Sequence, residues 1–357
     1  MDPHASAPDP AVRRGLAVTL VSASDLTAAS RVAAATTGAS ADAAPSVVEA
    51  PGGDSGDLGA DLADGLIADA DDGRIGLAVV ALEPAADPLE VALVLEHVVE
   101  ARHPGATPIG ILDVVAVSSV AEIRDLLLDP EGEDRVPFDA AERLAGRLEC
   151  ASVVVLGDLD PARPTSDGHR VRALLALLAP DARVVSVGDR ESLATGRLRI
   201  RRQRARRLAA GMGWQVALAG DGPAPSGGAM GVHVFRDPRP FHPGRLHAAV
   251  AHDLVPGEVG RIARSRGLVR LATRPATVGS WATAGDVLSL DPTGMLSWDA
   301  DSPAGQEIAF VGEGLDGARL DAVLGACLLA PGELVEGPEA WHGYADPFPA
   351  WDAEHRH

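Results

Sequence analysis

Four consecutive residues stand where a protein of this pattern could bind phosphate: Ser22, Ala23, Ser24 and Asp25. An apolar run from Leu16 to Val21 precedes them and predicts a buried strand, and a helical pattern follows from Leu26 to Ala35. A phosphate-binding loop at such a junction needs glycines and a Lys whose ammonium reaches the terminal phosphates. The stretch contains neither and ends in a carboxylate. It therefore predicts the scaffold of a nucleotide site with a degenerate loop.

The basic residues of the chain are of one type only. All 31 are Arg, and the sequence contains neither Lys nor Asn. A phosphate loop requires Lys, and the guanine-reading NKxD motif requires both missing types. The formal charge of −20 repels polyanions over most of the surface, so we expect neither indiscriminate nucleic-acid binding nor sequence-specific DNA binding.

Composition and periodicity predict an α/β fold. Aromatic residues make up only 3% of the chain, so Leu, Val and Ala must fill the interior, as in helices packed on parallel strands. Helical patterns alternate with apolar runs, which predicts a mainly parallel sheet flanked by helices. The predicted strands are Leu16 to Val21, Ser46 to Ala50, Ile75 to Leu82, Ile109 to Val117, Ser152 to Leu156 and Arg183 to Val187. No membrane span or signal peptide is predicted, and we expect a cytoplasmic protein.

A Gly- and Pro-rich segment, GDGPAPSGGAMG at 220–231, predicts a domain boundary near residue 228. We therefore expect a flexible leader over 1–14, a first domain over 15–228, a second over 229–351 and a tail over 352–357. In the second domain, strand patterns occur in GVHVF, GLVRLAT, DVLSLD and EIAFVG, and a helix is predicted over Ala318 to Leu329. Pro243 suits the first position of another helix, with Leu246, Ala249 and Val250 facing inward.

Seven aspartates lie between Asp54 and Asp72, which raises the possibility of a metal site. Leucines recur among them every four residues, at 58, 62 and 66, while Asp57, Asp61 and Asp64 follow a neighbouring stripe. This pattern favours a helix with one packed and one solvated face over carboxylates that converge on an ion.

The segment RLRIRRQRARR at 197–207 carries seven arginines in eleven positions of an acidic protein. One interpretation is a docking strip for RNA or an acidic partner, and the other is an exposed edge near a domain junction. The candidate partner-binding residues in this segment are Arg201, Arg202, Arg204, Arg206 and Arg207.

Aromatic side chains are concentrated near the end of the chain, at Trp341, Tyr344, Phe348 and Trp351. Trp341, Tyr344 and Trp351 are further candidates for partner binding, although packing within the C-terminal domain is the favoured interpretation.

His242, His247 and His252 are spaced by five, so a helix would point them in different directions rather than at one metal. We expect His242 to cap a helix start instead. His342, His355 and His357 could bind Zn²⁺ only weakly, and Cys150 and Cys327 are expected to be small core residues.

Several blocks in the second half resemble the C-terminal domain of CobW-type proteins. They are RPFHPGRLHAAV, GLVRLATRP with WATAG, EIAFVGEGLD with RLDAVLGACLL, and YADPFPAW. The resemblance covers residues 232–351 and implies a smaller α/β C-terminal domain beside a P-loop-NTPase-like domain. That family comprises P-loop GTPases, several of them similar to zinc metallochaperones, so GTP, Mg²⁺ and Zn²⁺ would be the implied cofactors.

The first domain departs from the motifs that the resemblance implies. The phosphate loop falls on residues 22–30 without glycine or Lys, and the CxCC metal motif falls on PGGDSGDL without cysteine. The ESTG stretch is similar to EPAADP, where Glu83 and Pro88 remain, and the LD-bearing strand matches Ile111, Leu112 and Asp113. VVVLGDLD occupies the NKxD position, with Gly157 and Asp158 in place of Asn and Lys and with Asp160 retained.

These departures lead to one hypothesis and one alternative. The hypothesis is a pseudo-GTPase without catalytic, nucleotide-binding or metal residues and without a cofactor, which binds a protein or ribosomal partner. Some degenerate actinobacterial relatives of this kind act in the zinc-limitation response and help to recruit a ribosome hibernation factor. The resemblance implies such a role for this chain by analogy only. The alternative is a divergent GTP-hydrolysing zinc metallochaperone with substitute ligands.

Overall fold

The computed structural model forms two compact units that interleave along the chain. The first spans Met1–Val120, Gly146–Pro164 and Asp181–Gly211, and the second Ala121–Ala145, Thr165–Pro180 and Met212–His357. The residues described are 15–37, 47–49, 54–74, 76–103, 108–130, 138–160, 162–163, 165–188, 204–220, 229–285 and 287–351. The predicted leader, tail and boundary near residue 228 lie outside them, so those boundaries stay predictions.

Eleven strands form two sheets within the described ranges. They are β1 Leu16–Ser22, β2 Val47–Glu49, β3 Gly76–Ala81, β4 Ile109–Ser118, β5 Val153–Leu156, β6 Arg183–Ser186, β7 Met230–Asp237, β8 Arg261–Val269, β9 Thr277–Ala284, β10 Val287–Leu296 and β11 Gln306–Glu313. Each predicted strand overlaps one of these strands. The pattern GLVRLAT, however, covers only the end of β8, and β9 was not predicted.

Helices connect the strands. We label them α1 Leu26–Thr37, α2 Ser55–Asp71, α3 Pro88–Arg102, α4 Val120–Ile123, α5 Phe138–Glu149, α6 Ser166–Leu178, α7 Arg204–Ala210, α8 Gly213–Ala219, α9 Pro243–His252, α10 Pro256–Val259, α11 Gly317–Cys327, α12 Pro331–Glu336 and α13 Pro338–Trp341. A π-helical turn, Arg124–Leu128, follows α4. Among the described residues, none of these helices has the length and apolar character needed to span a membrane.

The first unit is built on a six-stranded sheet in the order β2-β3-β1-β4-β5-β6, with every neighbouring pair parallel. All seven residues of β1 are buried, as expected for a strand covered on both faces. Helix α1 packs Ala29, Val32 and Ala33 against the sheet. Connections leave β1 and β4 in opposite directions, so their carboxyl ends form the crevice where α/β sheets usually bind ligands.

Helix α2 confirms the predicted separation of packed and solvated faces. Leu58 and Leu66 are buried, whereas Asp57, Asp61 and Asp64 are exposed. Asp64 forms an ion pair with Arg102 of α3. These aspartates therefore lie on the solvent-exposed face of a helix that packs along α3.

The second unit contains a five-stranded antiparallel sheet in the order β10-β9-β8-β11-β7. One core cluster joins this sheet to α9 and α11, and it includes Trp281, Phe310, Leu246 and Leu324. The parallel sheet flanked by helices, together with a separate domain built on an antiparallel sheet, confirms the predicted α/β class.

Ion pairs hold α5, α6 and the π-helical turn against strands of the second unit. The Arg264 side chain is 1% exposed, and its guanidinium donates to both carboxylate oxygens of Glu142. Arg266 donates to the same carboxylate at 2.8 Å. Arg170 of α6 forms two-pronged pairs with Glu313 and Asp129, with nitrogen–oxygen distances from 2.7 to 3.1 Å.

These contacts fix the charge state of Glu142. Burial alone would raise the pKa of its carboxyl, but the hydrogen bonds and positive charges of Arg264 and Arg266 outweigh burial and lower it below 4.5. The carboxylate is therefore ionised wherever the protein is folded at neutral pH, and it neutralises an arginine that water cannot reach.

Glu142→Ala should destabilise the protein by about 3–5 kcal/mol, because it leaves the Arg264 charge buried without its partner. Urea unfolding at pH 7 measures this loss, with Glu339→Ala on the exposed face of α13 as the control.

Since the folded-state pKa of Glu142 is lowered, its stabilisation is present above the unfolded-state pKa and is lost as the pH falls through the folded-state value. Glu142→Gln should therefore flatten the acid limb of the stability curve; an unchanged acid limb, or an alanine effect equal to that of the control, contradicts this account.

Candidate functional site at the carboxyl edge of the parallel sheet

The connection from β1 to α1 is short. Strand β1 ends at Ser22 and α1 begins at Leu26, so three residues make the turn. A phosphate loop of the G-x-x-x-x-G-K type spans about six residues before its Lys, because backbone N–H groups must surround the phosphate. Ser22 is buried, and its hydroxyl donates to the Val115 carbonyl at 3.5 Å. The Ser22 hydroxyl is therefore used in a hydrogen bond between β1 and β4.

Asp25 caps the helix that follows. One of its carboxylate oxygens accepts the N–H of Ala28 at 2.7 Å, and its carbonyl accepts the N–H of Ala29 at 3.2 Å. The start of a helix attracts anions because its first N–H groups lack partners within the helix and the helix dipole is positive there. At α1 the chain supplies that anion itself.

The same arrangement recurs along this edge of the sheet. After β3, a carboxylate oxygen of Asp87 accepts the N–H groups of Leu89 and Glu90 at 2.8 and 3.3 Å, with Pro88 in the first turn of α3. After β5, a carboxylate oxygen of Asp158 accepts the N–H of Val120 at 2.6 Å, where α4 begins. The helices that follow β1, β3 and β4 therefore all begin under a carboxylate of the same chain.

The other motif positions are placed differently. Asp113 lies within β4, five residues before its end at Ser118, and accepts a hydrogen bond from Ser152 at 2.7 Å. At about 3.3 Å per residue it is well below the carboxyl edge. Glu83 lies just beyond β3 and its carbonyl closes a turn with Ala86. Asp160 closes a turn by accepting the N–H of Ala162. The edge thus gathers Asp25, Glu83, Asp87, Asp158 and Asp160.

The two cysteines lie in the cores as predicted. Both thiols are free and buried. Burial raises the pKa of Cys150 far above its ordinary value, and it raises the pKa of Cys327 to about 11. Both thiols are therefore protonated at neutral pH.

The histidines of the second unit do not gather around one point. His242 caps α9 by accepting the Arg245 N–H on its ring nitrogen at 3.4 Å, which confirms its predicted role, and Pro243 stands in the first turn. His247 packs edge-on against Phe348, and His252 is exposed. Within the described ranges, no three His, Cys, Asp or Glu side chains are grouped as a metal would need.

Part of the arginine-rich segment is ordered by a buried acid. Arg201 and Arg202 lie outside the described residues, whereas Arg204, Arg206 and Arg207 lie on α7. Glu96 of α3 accepts the N–H groups of Arg204 and Ala205 at 2.8 and 3.0 Å. Burial raises the pKa of Glu96, and these two hydrogen bonds oppose the shift without cancelling it. The side chains of Arg206 and Arg207 are exposed.

The C-terminal aromatics make contacts within the second unit. Trp341 donates to the Glu333 carbonyl at 2.7 Å, and the Tyr344 ring stacks on His242. Trp351 donates to the Leu290 carbonyl at 2.9 Å and lies beneath the Arg274 guanidinium. A Cβ at Gly279 would approach the Trp351 ring to 2.6 Å, so glycine makes room for it. These contacts agree with the favoured interpretation of intramolecular packing.

Comparison with known proteins supports the resemblance seen in the sequence. Residues 230–328 match the family described as "Cobalamin synthesis protein cobW C-terminal domain". The match covers β7 through the end of α11, the whole antiparallel sheet with its helices. The protein named "Zinc chaperone Rv0106" of Mycobacterium tuberculosis is 29% identical over 309 residues, covering 78% of this chain and 73% of that protein.

Residues 230–328 therefore form a CobW-type C-terminal domain. The Zn(II)-bound YjiA GTPase from E. coli and a Zn(II)-bound triple mutant of YjiA GTPase each align over 88% of this chain and 99% of theirs. These alignments have 12% identity and TM-scores of 0.31 and 0.32. The edge described above is where open parallel α/β sheets usually bind ligands.

Asp25→Ala should destabilise the protein by about 0.5–2 kcal/mol, because α1 loses its cap. Asp25→Asn keeps an oxygen acceptor and should remain close to the native protein. Urea unfolding compares them, with Asp61→Ala on the solvated face of α2 as a control for removal of an exposed acid. An alanine variant as stable as the asparagine variant would show that the cap contributes nothing.

Proposed function

We propose that this CobW-type protein acts by binding a protein or ribonucleoprotein partner in zinc homeostasis, and that it does not hydrolyse GTP. The observation that carries the proposal is the set of carboxylates at the edge of the parallel sheet. Asp25 accepts an N–H group at the start of α1, where a nucleotide's phosphates would bind, and Asp87 and Asp158 cap the helices that follow β3 and β4. In this proposal the first unit is a fixed platform rather than a nucleotide-driven switch.

Electrostatics at this edge oppose a bound triphosphate. The chain has no Lys for the terminal phosphates, and loss of such a contact weakens binding by about 2–4 kcal/mol. That corresponds to roughly 30- to 1000-fold in affinity. Asp25 would add repulsion, since its carboxylate lies where phosphate oxygens would approach.

The link to zinc comes from the relative named as a zinc chaperone, which is similar over most of this chain. Zinc in such a role is usually held by thiolates or imidazoles. Cys150 and Cys327 are the only cysteines, and both thiols are buried and protonated. A role in the response to zinc limitation, exercised through a partner, needs no resident zinc ion.

A divergent GTP-binding zinc metallochaperone is the second candidate, favoured by the same relative. In that case arginines would replace the missing Lys, and imidazoles or carboxylates would replace the thiolates. The two candidates differ in what the purified protein binds.

Calorimetric titration with GTP and GDP in Mg²⁺ buffer, at millimolar nucleotide, should give no saturable heat. The reason is that Asp25 occupies the Ala28 N–H at the start of α1 and that the chain has no Lys. Metal analysis of untagged protein should find far less than one zinc per chain. A micromolar dissociation constant for either nucleotide, or stoichiometric zinc, would favour the metallochaperone instead.

A ribosome is one partner that the arginine-rich segment would suit, because RNA phosphates attract exposed guanidinium groups. The test variant replaces with Gln the residues Arg201, Arg202, Arg204, Arg206 and Arg207. It should lose most co-sedimentation with ribosomes at low salt. A matched variant removes five exposed arginines from other surfaces, namely Arg31, Arg74, Arg143, Arg163 and Arg172, and should retain binding. Equal binding by both variants would exclude the segment as the contact.

A further inference from the structure

One large aromatic side chain is turned toward solvent. Trp298 lies in the turn between β10 and β11 and is 70% exposed, whereas Trp281 on β9 is 1% exposed. Leu296, two residues earlier, is also exposed. Exposing Trp forgoes the burial of a large apolar area, and the chain has only five Trp residues. A solvent-facing Trp beside an exposed Leu therefore calls for an explanation.

The loop that carries Trp298 is tightly held. The Ser297 N–H donates to the Ala276 carbonyl at 2.9 Å, and its hydroxyl donates to the Pro275 carbonyl at 2.6 Å. Asp299 accepts the N–H of Leu296 at 2.8 Å. The indole is thus presented by a backbone that is fixed on both sides of it.

Arg270 holds the same loop from within. Its guanidinium donates to the Ser297 carbonyl and the Ser302 hydroxyl, each at 2.9 Å, and also to the Pro303 carbonyl. Its backbone N–H donates to Gln306, which is buried. Since the loop is ordered before any partner arrives, binding at Trp298 would lose little conformational entropy.

The segment that carries Trp298 has charges of one sign. Residues 287–305 contain no Arg or His, and their ionisable side chains are Asp291, Asp299 and Asp301. All three aspartates are exposed. The guanidinium of Arg270, which contacts this segment from outside it, is directed at backbone oxygens. The surface therefore offers an aromatic face, an aliphatic side chain and carboxylates.

We propose that Leu296, Trp298, Asp299 and Asp301 form a docking surface for a basic protein segment rich in Arg or Lys. The ring face of Trp298 attracts a cation, and the aliphatic stems of Arg and Lys pack on Trp298 and Leu296. Asp299 and Asp301 pair with the charges and steer the segment during approach. The same carboxylates repel nucleic acid and anionic lipid, which disfavours those ligands here.

This inference specifies the partner in the proposed function as a basic protein segment, and it rests on that proposal. It is separable from it experimentally, because binding at Trp298 does not depend on whether the edge of the parallel sheet takes GTP. A result against one leaves the other to be judged on its own measurement.

The test measures binding of fluorescein-labelled nona-arginine to the full chain by fluorescence anisotropy at low salt. Trp298→Ala should weaken binding about tenfold or more, as expected for an interface anchor. Trp298→Phe should retain part of the affinity, and Asp301→Asn should weaken it about two- to fivefold. Val335→Ala, at an 88% exposed apolar residue of α12, and Asp61→Asn, at an exposed acid of α2, should bind as the native protein does.

Three results would overturn the proposal. The first is native affinity in Trp298→Ala, and the second is no binding of the peptide by the native chain. The third is a loss in Asp61→Asn as large as in Asp301→Asn, which would mean diffuse attraction to an acidic protein. Sedimentation velocity of the native protein and Trp298→Ala, without peptide, tests for a second copy as occupant. A dimer that only the native protein forms would assign the surface to self-association instead.

Discussion

A helix start in a parallel α/β domain is a place of positive potential, and something negative must satisfy it. In nucleotide-binding members of this architecture the phosphates supply that charge. Here Asp25, Asp87 and Asp158 supply it from the chain itself, at distances of 2.6 to 2.8 Å for their shortest contacts. The three-residue connection after β1 leaves little backbone to surround a larger anion. The Asp25 carboxylate therefore caps α1 and, in the proposed function, also opposes the binding of a nucleotide there.

The second unit is stabilised in a different way. Its core cluster lies between the antiparallel sheet and helices α9 and α11, whereas Glu142 and Arg170 bring charge into contact with the sheet. Buried pairs of this kind make a small net contribution to folding, but loss of one partner is costly. Such an arrangement specifies one position for each helix. It is consistent with a protein that works as a platform.

The sequence was informative where short-range patterns decide structure. Apolar runs predict β1 and β4 because buried parallel strands need them, and Pro243 predicts the start of α9 because its missing N–H has no cost there. His242 was predicted as a cap from the same local logic. The absence of Lys from the sequence predicts that the carboxyl edge of the sheet lacks a phosphate-binding ammonium group. It does not predict that aspartates cap the helices there.

Contacts between distant residues could not be predicted. Glu96 and Arg204 are 108 residues apart, and Glu142 and Arg264 are 122 apart; nothing in either segment indicates its partner. An acid inside the apolar helix α3 was the one available signal for Glu96. The exposure of Trp298 was also hidden, because an isolated Trp in sequence is more often buried.

The central claim is that the carboxylate of Asp25 occupies the position a phosphate would need at the start of α1. Crystals soaked with GTP and Mg²⁺ test it most directly. The account predicts no ordered triphosphate beside residues 22–30, with Asp25 still accepting the Ala28 N–H. An ordered γ-phosphate there, with Asp25 displaced from that N–H, would contradict it.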